Sequence, residues 1–597
     1  MSLVIIWKKI KNWLNNLFAP KNQDTLDQQL VINLAPKKHP SMKQIKYLPK
    51  LLTWREKKII KVLAGIIIIS LLLLGINFYF NHTASVPASG GEYSEGLIGL
   101  PQFVNPVLSS INAVDADLSR LIFSGLLKYQ DGRLIPDLCQ QYEISDDKKT
   151  YTFHLRQNTF WHDGEPISAN DIVFTVKTIK DPQIRSPLQA SWQKIDVKQL
   201  DDYTVQFALS EPFAPFLSLL TFGILPEHIW KNIPSLQFYL TDFNSRPIGS
   251  GPWKFKSLTK NVLGLIKSYT LERNKQYYQQ PPYLKELTFY FYPDFEQASS
   301  DLKANYLDAL AFLPSYLNSE LENIKYLRSY PTQLPHYVGL FFNQANNALL
   351  NIKEIRQALS YGVDKQQIVS QTLNNQAKII NSFNLGLSED KLTNEKKYTF
   401  NSQLAGDLLD QANFKIDQET GYRKKDDQII ELTITTIDQA ENQQIAEIIQ
   451  ENWQQLGIDV KIELIPKENI QKEIIRPRKY QILLYGIITA NDDLYSFWHS
   501  SQRQDPGLNL TCFNNREADQ LLEEGRKITN EQIKAEKYSA LANILANEVP
   551  AIFLYQPEHQ YLINKKIKGI DINQLSIPSD RFNNSADWYS STKRQIK

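Results

Sequence analysis

The sequence predicts an α/β protein held outside a membrane by one transmembrane helix, and three observations carry that reading. Residues 431–464 run strand, helix, strand: apolar alternation in 431–437, a helical pattern in 441–456 closed by Gly457, then Ile458, Val460, Ile462 and Leu464 alternating again. Strands joined by a helix of that length are parallel, which is the mark of an α/β fold. Residues 62–80 are nineteen in a row without a charge, close to the about 20 that a helix needs to cross a bilayer core. The chain has 597 residues, 42% of them apolar and 22% charged, too long for one core and composed like a globular protein of several units. A formal net charge of +2 is not the basic balance of a nucleic-acid binder, so no nucleic-acid partner is expected.

From the N-terminus, residues 1–61 form a basic cytoplasmic segment. Leu3, Ile6, Trp7, Ile10, Trp13, Leu14, Leu17 and Phe18 fall at helical spacing with Lys8, Lys9 and Lys11 between them. This is an amphipathic helix lying on the inner leaflet or packed on a partner. Lys46, Lys50, Arg55, Lys57, Lys58 and Lys61 precede the span at 62–80 with only Glu56 opposing them. Cytoplasmic flanks are rich in Lys and Arg, which puts everything after Phe80 outside. So long a start is unlike a cleaved signal peptide, although Val86-Pro-Ala88 offers a cleavage site. Residues 81–96, rich in Ser, Ala, Pro and Gly in their first part, read as a linker.

In the outer chain, Tyr151, Phe153 and Leu155 alternate with Thr152, His154 and Arg156, as in a half-buried strand. Asp163-Gly164 turns the chain. Ser168 and Asp171 have capping-box spacing, and Ile172, Val173, Val176 and Ile179 continue one helical face. This run, with Tyr151-Thr-Phe153, Leu155-Arg156, Trp161-His-Asp163-Gly164, Ala169 and Asp171-Ile-Val-Phe174, resembles a signature of the family 5 extracytoplasmic solute-binding proteins, the receptors of peptide-type ABC importers. Asn105-Pro106, Gly125-Leu126-Leu127 and Pro136-Asp-Leu138 before it continue the resemblance. Ile248-Gly-Ser-Gly251-Pro252, Val338-Gly-Leu-Phe-Phe342-Asn343, Ile355-Arg-Gln-Ala-Leu-Ser-Tyr361 and Glu548-Val-Pro550-Ala-Ile-Phe-Leu-Tyr555 follow in family order.

The resemblance implies a two-lobed, periplasmic-binding-protein-like fold with an extra inserted subdomain. Lobe I would take residues 97–122, 246–335 and 556–597, the inserted subdomain 123–245 and lobe II 336–555. A peptide or other small solute would lie between the lobes and reach ABC permease subunits when they close. Its contacts would be main-chain groups near Leu100 and Gln102 on one side and around Gly486, Ile488, Ala490 and Asp492 on the other. Family members that take peptides carry a Trp after this glycine and an Asp a few residues later that pairs with the peptide amine. Ile487 and Ala490 stand at those places here, so amine recognition is weakened unless Asp492 or Asp493 supplies the charge. No Gly-x-Ser-x-Gly elbow and no HExxH are present, and the histidines are scattered; no enzyme, metal or cofactor is expected. Cys139 and Cys512 read as small hydrophobes, with a disulfide between them as the alternative. An enzyme or adhesion module on the same scaffold is the alternative function, because a fold does not fix one.

Overall fold

The computed structural model describes residues 50, 52–130, 132–321, 323–332, 334–381, 396–426, 428–489, 493–528, 530–572 and 575–596. The amphipathic segment at 3–18, Ala490 and Asp492 lie outside them. The chain forms two compact units, residues up to 85 with 594–597, and residues 86–593.

The first unit contains the helix Trp54–His82, 29 residues with none buried, long and apolar enough to cross a bilayer. It starts at Trp54 rather than Val62 because a capping box opens it in the basic flank: Thr53 N–H and its hydroxyl both donate to Glu56 Oε2 at 2.8 Å.

In the second unit, strand Glu92–Ile98 lies at the centre of a seven-stranded sheet. The order is Leu327–Thr332, His559–Asn564, Ala309–Ala311, Glu92–Ile98, Glu286–Tyr292, Ile266–Arg273, Trp253–Lys260. The first residues of that central strand were expected to be linker. Its alternation is disguised because one of its three inward positions, Tyr93, Glu95 and Leu97, is an acid, and all three are buried. Glu95 is held there by Arg581, near the C-terminus. Arg581 Nε donates to Glu95 Oε1 at 3.0 Å while its two terminal nitrogens fork onto Asp117 at 2.8 and 2.6 Å. The Tyr93 and Tyr561 hydroxyls donate to Glu95 Oε2 at 2.5 and 2.8 Å. Burial pushes both carboxyls up and the guanidinium opposes it. One turn along helix Ala113–Ile122, Arg120 pairs with Asp580 at 3.0 Å, so the helix grips the C-terminal segment by two ion pairs of opposite sense.

The inserted segment folds on a four-stranded antiparallel sheet, Cys139–Ile144, Thr150–Leu155, Thr204–Leu209, Ile195–Asp201, covered by helix Ala169–Lys180 with its capping box at Ser168 and Asp171. The chain returns to lobe I at Gly249 and Gly251, where a side chain would run into the backbone of Ile122 and Leu121. His162 clamps that return. Its Nδ1 accepts the Gly249 N–H at 3.1 Å and its Nε2–H donates to the Gly251 carbonyl at 3.0 Å, while burial pushes the imidazole down to about 4, keeping it neutral. The turn of the signature motif is therefore scaffold. Cys139 and Cys512 are both free and buried.

Lobe II is built on a six-stranded sheet, in the order Ala377–Ile379, Ala551–Pro557, His336–Phe342, Ile482–Ile488, Glu431–Ile437, Asp459–Ile465. Glu431–Ile437 and Asp459–Ile465 pair in parallel around helix Ala440–Gln454, as the sequence pattern requires. Leu340, Phe342, Ile482 and Leu484 enter one core and Tyr337, Phe341 and Leu483 the other. Burial on both faces explains why these strands read as unbroken apolar runs.

Arg581→Met should lower stability by about 3–5 kcal/mol, because it leaves two buried carboxylates without their cation. Asp117→Asn should cost about 1–3 kcal/mol, since Glu95 keeps its partner. Urea unfolding of the full-length protein followed by tryptophan fluorescence reads both.

Candidate functional site

The chain crosses between the seven- and six-stranded sheets twice, from Leu327–Thr332 into His336–Phe342 and from Ala551–Pro557 into His559–Asn564. Strands that leave one sheet and enter another within a few residues make a hinge. The cleft above it lies at the carboxyl ends of parallel strands, where α/β folds bind ligands.

On lobe II the cleft strand is Ile482–Ile488. It pairs along its whole length with His336–Phe342 but with Glu431–Ile437 only at Ile482 and Leu483. The direction of its remaining backbone groups follows from two bonds. Leu484 O accepts the Thr436 hydroxyl at 2.9 Å, on the Glu431–Ile437 side, and Thr489 N–H donates to Pro335 O at 2.9 Å, on the opposite side. Alternation then points the N–H and C=O groups of Gly486 and Ile488 toward the edge beyond Thr436. Among the described residues no backbone bond engages them there.

On lobe I the predicted contacts sit at the end of the central strand, but some of their groups are already used. Asn112 Nδ2 donates to Leu100 O at 3.0 Å, and Asp115 accepts the N–H groups of Gln102 and Phe103, each at 2.8 Å. Burial pushes the Asp115 carboxyl up to about 6 against the pull of those two bonds. The Gln102 N–H is thus not available to a ligand; among the described residues no hydrogen bond engages the Leu100 N–H or the Gln102 carbonyl, and both side chains are exposed. Asp493 is committed too, to Arg526 Nη2 at 2.8 Å. Its other oxygen, Oδ1, is buried with no hydrogen-bond partner among the described residues.

Three features escaped the sequence reading. His336 and His559 open the two strands that leave the hinge, and Nδ1 of the first lies 3.2 Å from Nε2 of the second with the rings within 6° of parallel. Burial pushes them down to about 3 and about 4. The His336 ring lies over the Cα of Gly486, where a side chain would meet its Nε2. Where the inserted subdomain meets lobe II, the Arg526 guanidinium lies 4.8 Å from the Phe213 ring and 4.1 Å from that of Tyr495. Ala214 N–H donates to Arg526 O at 2.7 Å, and Lys527 pairs with Glu211 at 3.1 Å. A cavity of about 460 Å³ opens beside this latch. Apart from Arg526 on Tyr495, each of these contacts joins residues more than a hundred positions apart, which no local pattern records.

A two-lobed α/β fold with a backbone edge exposed in a hinged cleft is a solute-binding architecture, and comparison with known proteins agrees. The model for bacterial extracellular solute-binding proteins, family 5 middle, matches residues 133–508. The chain belongs to this family. Among its family 5 relatives, the oligopeptide-binding protein AppA of Bacillus subtilis (strain 168) is 27% identical over 82% of this chain and 90% of its own length. The dipeptide-binding protein of Escherichia coli (strain K12) is 23% identical over 80% and 91%. Among solved structures, NikZ from Campylobacter jejuni in complex with Ni(L-His) superposes with a TM-score of 0.72 at 27% identity, covering 83% of this chain and 99% of that one. AppA from Bacillus subtilis in complex with a nonapeptide gives 0.72 at 25%, over 84% and 99%.

Two outcomes test the hinge and the latch. In the folded protein the two hinge imidazoles stay neutral to about pH 4, whereas in the unfolded chain they take a proton near about 6.5. The unfolded state binds more protons in between, so their contribution is complete above about pH 6.5 and lost as pH falls toward 4. The decline in urea stability from pH 7 to pH 5 should be shallower in His559→Gln than in the native protein; Asp115 acts in the opposite sense below pH 6 in both and cancels. Phe213→Ala removes a cation–π contact of about 1 kcal/mol. It should speed hydrogen exchange at the Ala214 amide about fivefold while leaving the amides of Glu431–Ile437 unchanged.

Proposed function

We propose that the protein is a membrane-anchored receptor that holds an extended peptide between its lobes and presents it to the permease subunits of an ABC importer. The observation that carries this reading is the edge at Gly486 and Ile488. A peptide laid along it gains main-chain hydrogen bonds whatever its side chains, which suits a receptor for many sequences. Relatives named for oligopeptides and dipeptides, and a neighbour solved with a nonapeptide, support a ligand of that kind. Opposite this edge, the Leu100 N–H and the Gln102 carbonyl are the lobe I groups left to meet the peptide. Lys57, Lys58 and Lys61, in the first turns of the helix Trp54–His82 and ahead of its apolar stretch, support an anchor with its N-terminus in the cytoplasm and the binding unit outside. Closure follows from the hinge: a ligand that touches both lobes favours the state in which both touch it, and only that state engages the permease.

Calorimetry of the full-length protein in nanodiscs with a set of short peptides tests this, and failure to bind any of them would end the peptide reading. Ile488→Pro removes an N–H aimed at the open edge and no ladder bond, so it should weaken peptide binding about 2- to 10-fold, the worth of one hydrogen bond, with little change in melting temperature. Ile487→Pro breaks a ladder bond to His336–Phe342 and should lower the melting temperature instead.

A further inference from the structure

Strand Trp253–Lys260 is the outer edge of the seven-stranded sheet and turns into Ile266–Arg273 through Asn261, Val262, Leu263, Gly264 and Leu265. The turn is braced from within. Asn261 Oδ1 accepts the N–H groups of Leu263 and Leu265 at 2.9 and 3.0 Å, and the Asn261 N–H donates to Leu265 O at 2.9 Å. The Gly264 N–H donates to Asn261 O at 3.0 Å. None of these bonds uses the side chain of Val262 or Leu263, and the polar residues usual at such a tip would serve the turn as well. Yet Val262 is 102% and Leu263 79% exposed, with Leu265 at 47% beside them. These side chains add nothing to a core and present apolar surface to water on a fixed support.

The tip has a defined place in lobe I. Glu92–Ile98 and Glu286–Tyr292 run in parallel, and Ser268 faces Tyr290 while Lys260 faces Ile266, so the turn lies past the carboxyl ends of the parallel strands. Leu100 and Gln102 follow at that same end, and Thr332 faces His559 there at the hinge crossing. In the order of the sheet the hinge strands stand at one edge and the hairpin at the other, roughly 25–30 Å apart at the usual strand spacing. The tip thus stands at the cleft end of lobe I, on the edge farthest from the hinge, where a cleft that closes by rotation has its mouth. The chain enters this sheet at Glu92, at the opposite end.

Charge narrows the partner. Lys260 and Lys267 flank the turn, both exposed, and among the described residues no ion pair engages either, whereas Lys256 on the same edge is paired with Glu286 at 2.7 Å. Lysines along an edge strand, here Lys254, Lys256 and Lys260, oppose strand addition by a second copy. We propose that Val262 and Leu263 are the knob by which lobe I engages a permease subunit, seated in an apolar socket rimmed by carboxylates on the outer face of that subunit. The inference rests on the importer reading above. A partner that takes ligand from the cleft has to meet the mouth away from the hinge, and the knob stands there.

Val262→Ser combined with Leu263→Ser leaves every bond of the turn in place. Calorimetry of the full-length variant in nanodiscs should give an affinity for trialanine within about twofold of the native value, as for a surface change that leaves the fold intact. Uptake of radiolabelled trialanine by cells deleted for this chain and complemented with the variant should fall at least about tenfold, as for the loss of an interface hot spot. Lys260→Glu with Lys267→Glu should lower uptake too and leave affinity unchanged. Cys139 and Cys512 are buried, so Val262→Cys takes an environment-sensitive fluorophore at one place. In nanodiscs that hold no permease its emission should be that of a probe in water. A blue-shifted emission there puts the tip in lipid or against a second copy and overturns the inference, as does uptake by the serine variant within about twofold of native; either result leaves the peptide reading standing. Undiminished uptake by cells lacking the chain, when the purified protein binds trialanine, overturns the importer reading and this inference together. Binding of no peptide ends the peptide reading and takes this inference with it.

Discussion

One residue, Glu558, separates the last strand position of one sheet from the first of the other, and the cleft depends on that economy. Both flanking strands are locked into ladders, Ala551–Pro557 against His336–Phe342 and His559–Asn564 between Leu327–Thr332 and Ala309–Ala311. Neither can slide in register without breaking several backbone hydrogen bonds, so the motion left is rotation at the crossings. Strand Ile482–Ile488 is bonded along its length to His336–Phe342 and moves with it as one body. The open edge therefore keeps its shape while its distance from lobe I changes, the division of labour that a hinged receptor requires.

How much of this is legible in the sequence follows from the range of the interactions. Elements specified by their own periodicity and caps are visible: the parallel pair around helix Ala440–Gln454, the capping box at Ser168 and Asp171, and the cap of Gln367 N–H by Asp364 at 3.0 Å. Glu92–Ile98 is hidden because Glu95 breaks its apolar pattern, and the reason an acid can stand there lies almost five hundred residues away at Arg581. In the candidate site, the residue types around Gly486 mark the strand, but which of its backbone groups face the open edge depends on where Thr436 and Pro335 bond. The same holds at Leu100 and Gln102, whose use by Asn112 and Asp115 is a matter of three-dimensional closure. Asp493, a candidate amine partner from its position alone, is claimed by an arginine 33 residues on.

Charge has a different task in each setting. The guanidinium of Arg581 is bonded to two carboxylates, one of them also held by two phenols, and fixes a segment in place; a fully desolvated, bidentate pair specifies geometry more than it adds stability. That of Arg526 stays partly in solvent, stacked between two rings, where it joins the inserted subdomain to lobe II.

The thread of the chain through lobe I has a consequence for how the protein is made. Lobe II is contiguous, and its six strands are all present once residue 557 has emerged. The lobe I sheet begins at Glu92, yet it lacks an internal strand until His559–Asn564 arrives, and its buried acids lack their cation until Arg581 does. During vectorial synthesis the first lobe to appear is thus the last to be finished, and it must remain incomplete through nearly the whole passage of the chain. A nascent chain stopped short of Arg581 would carry a completed second lobe attached to a first lobe with two uncompensated carboxylates, a form open to capture by chaperones and to proteolytic removal.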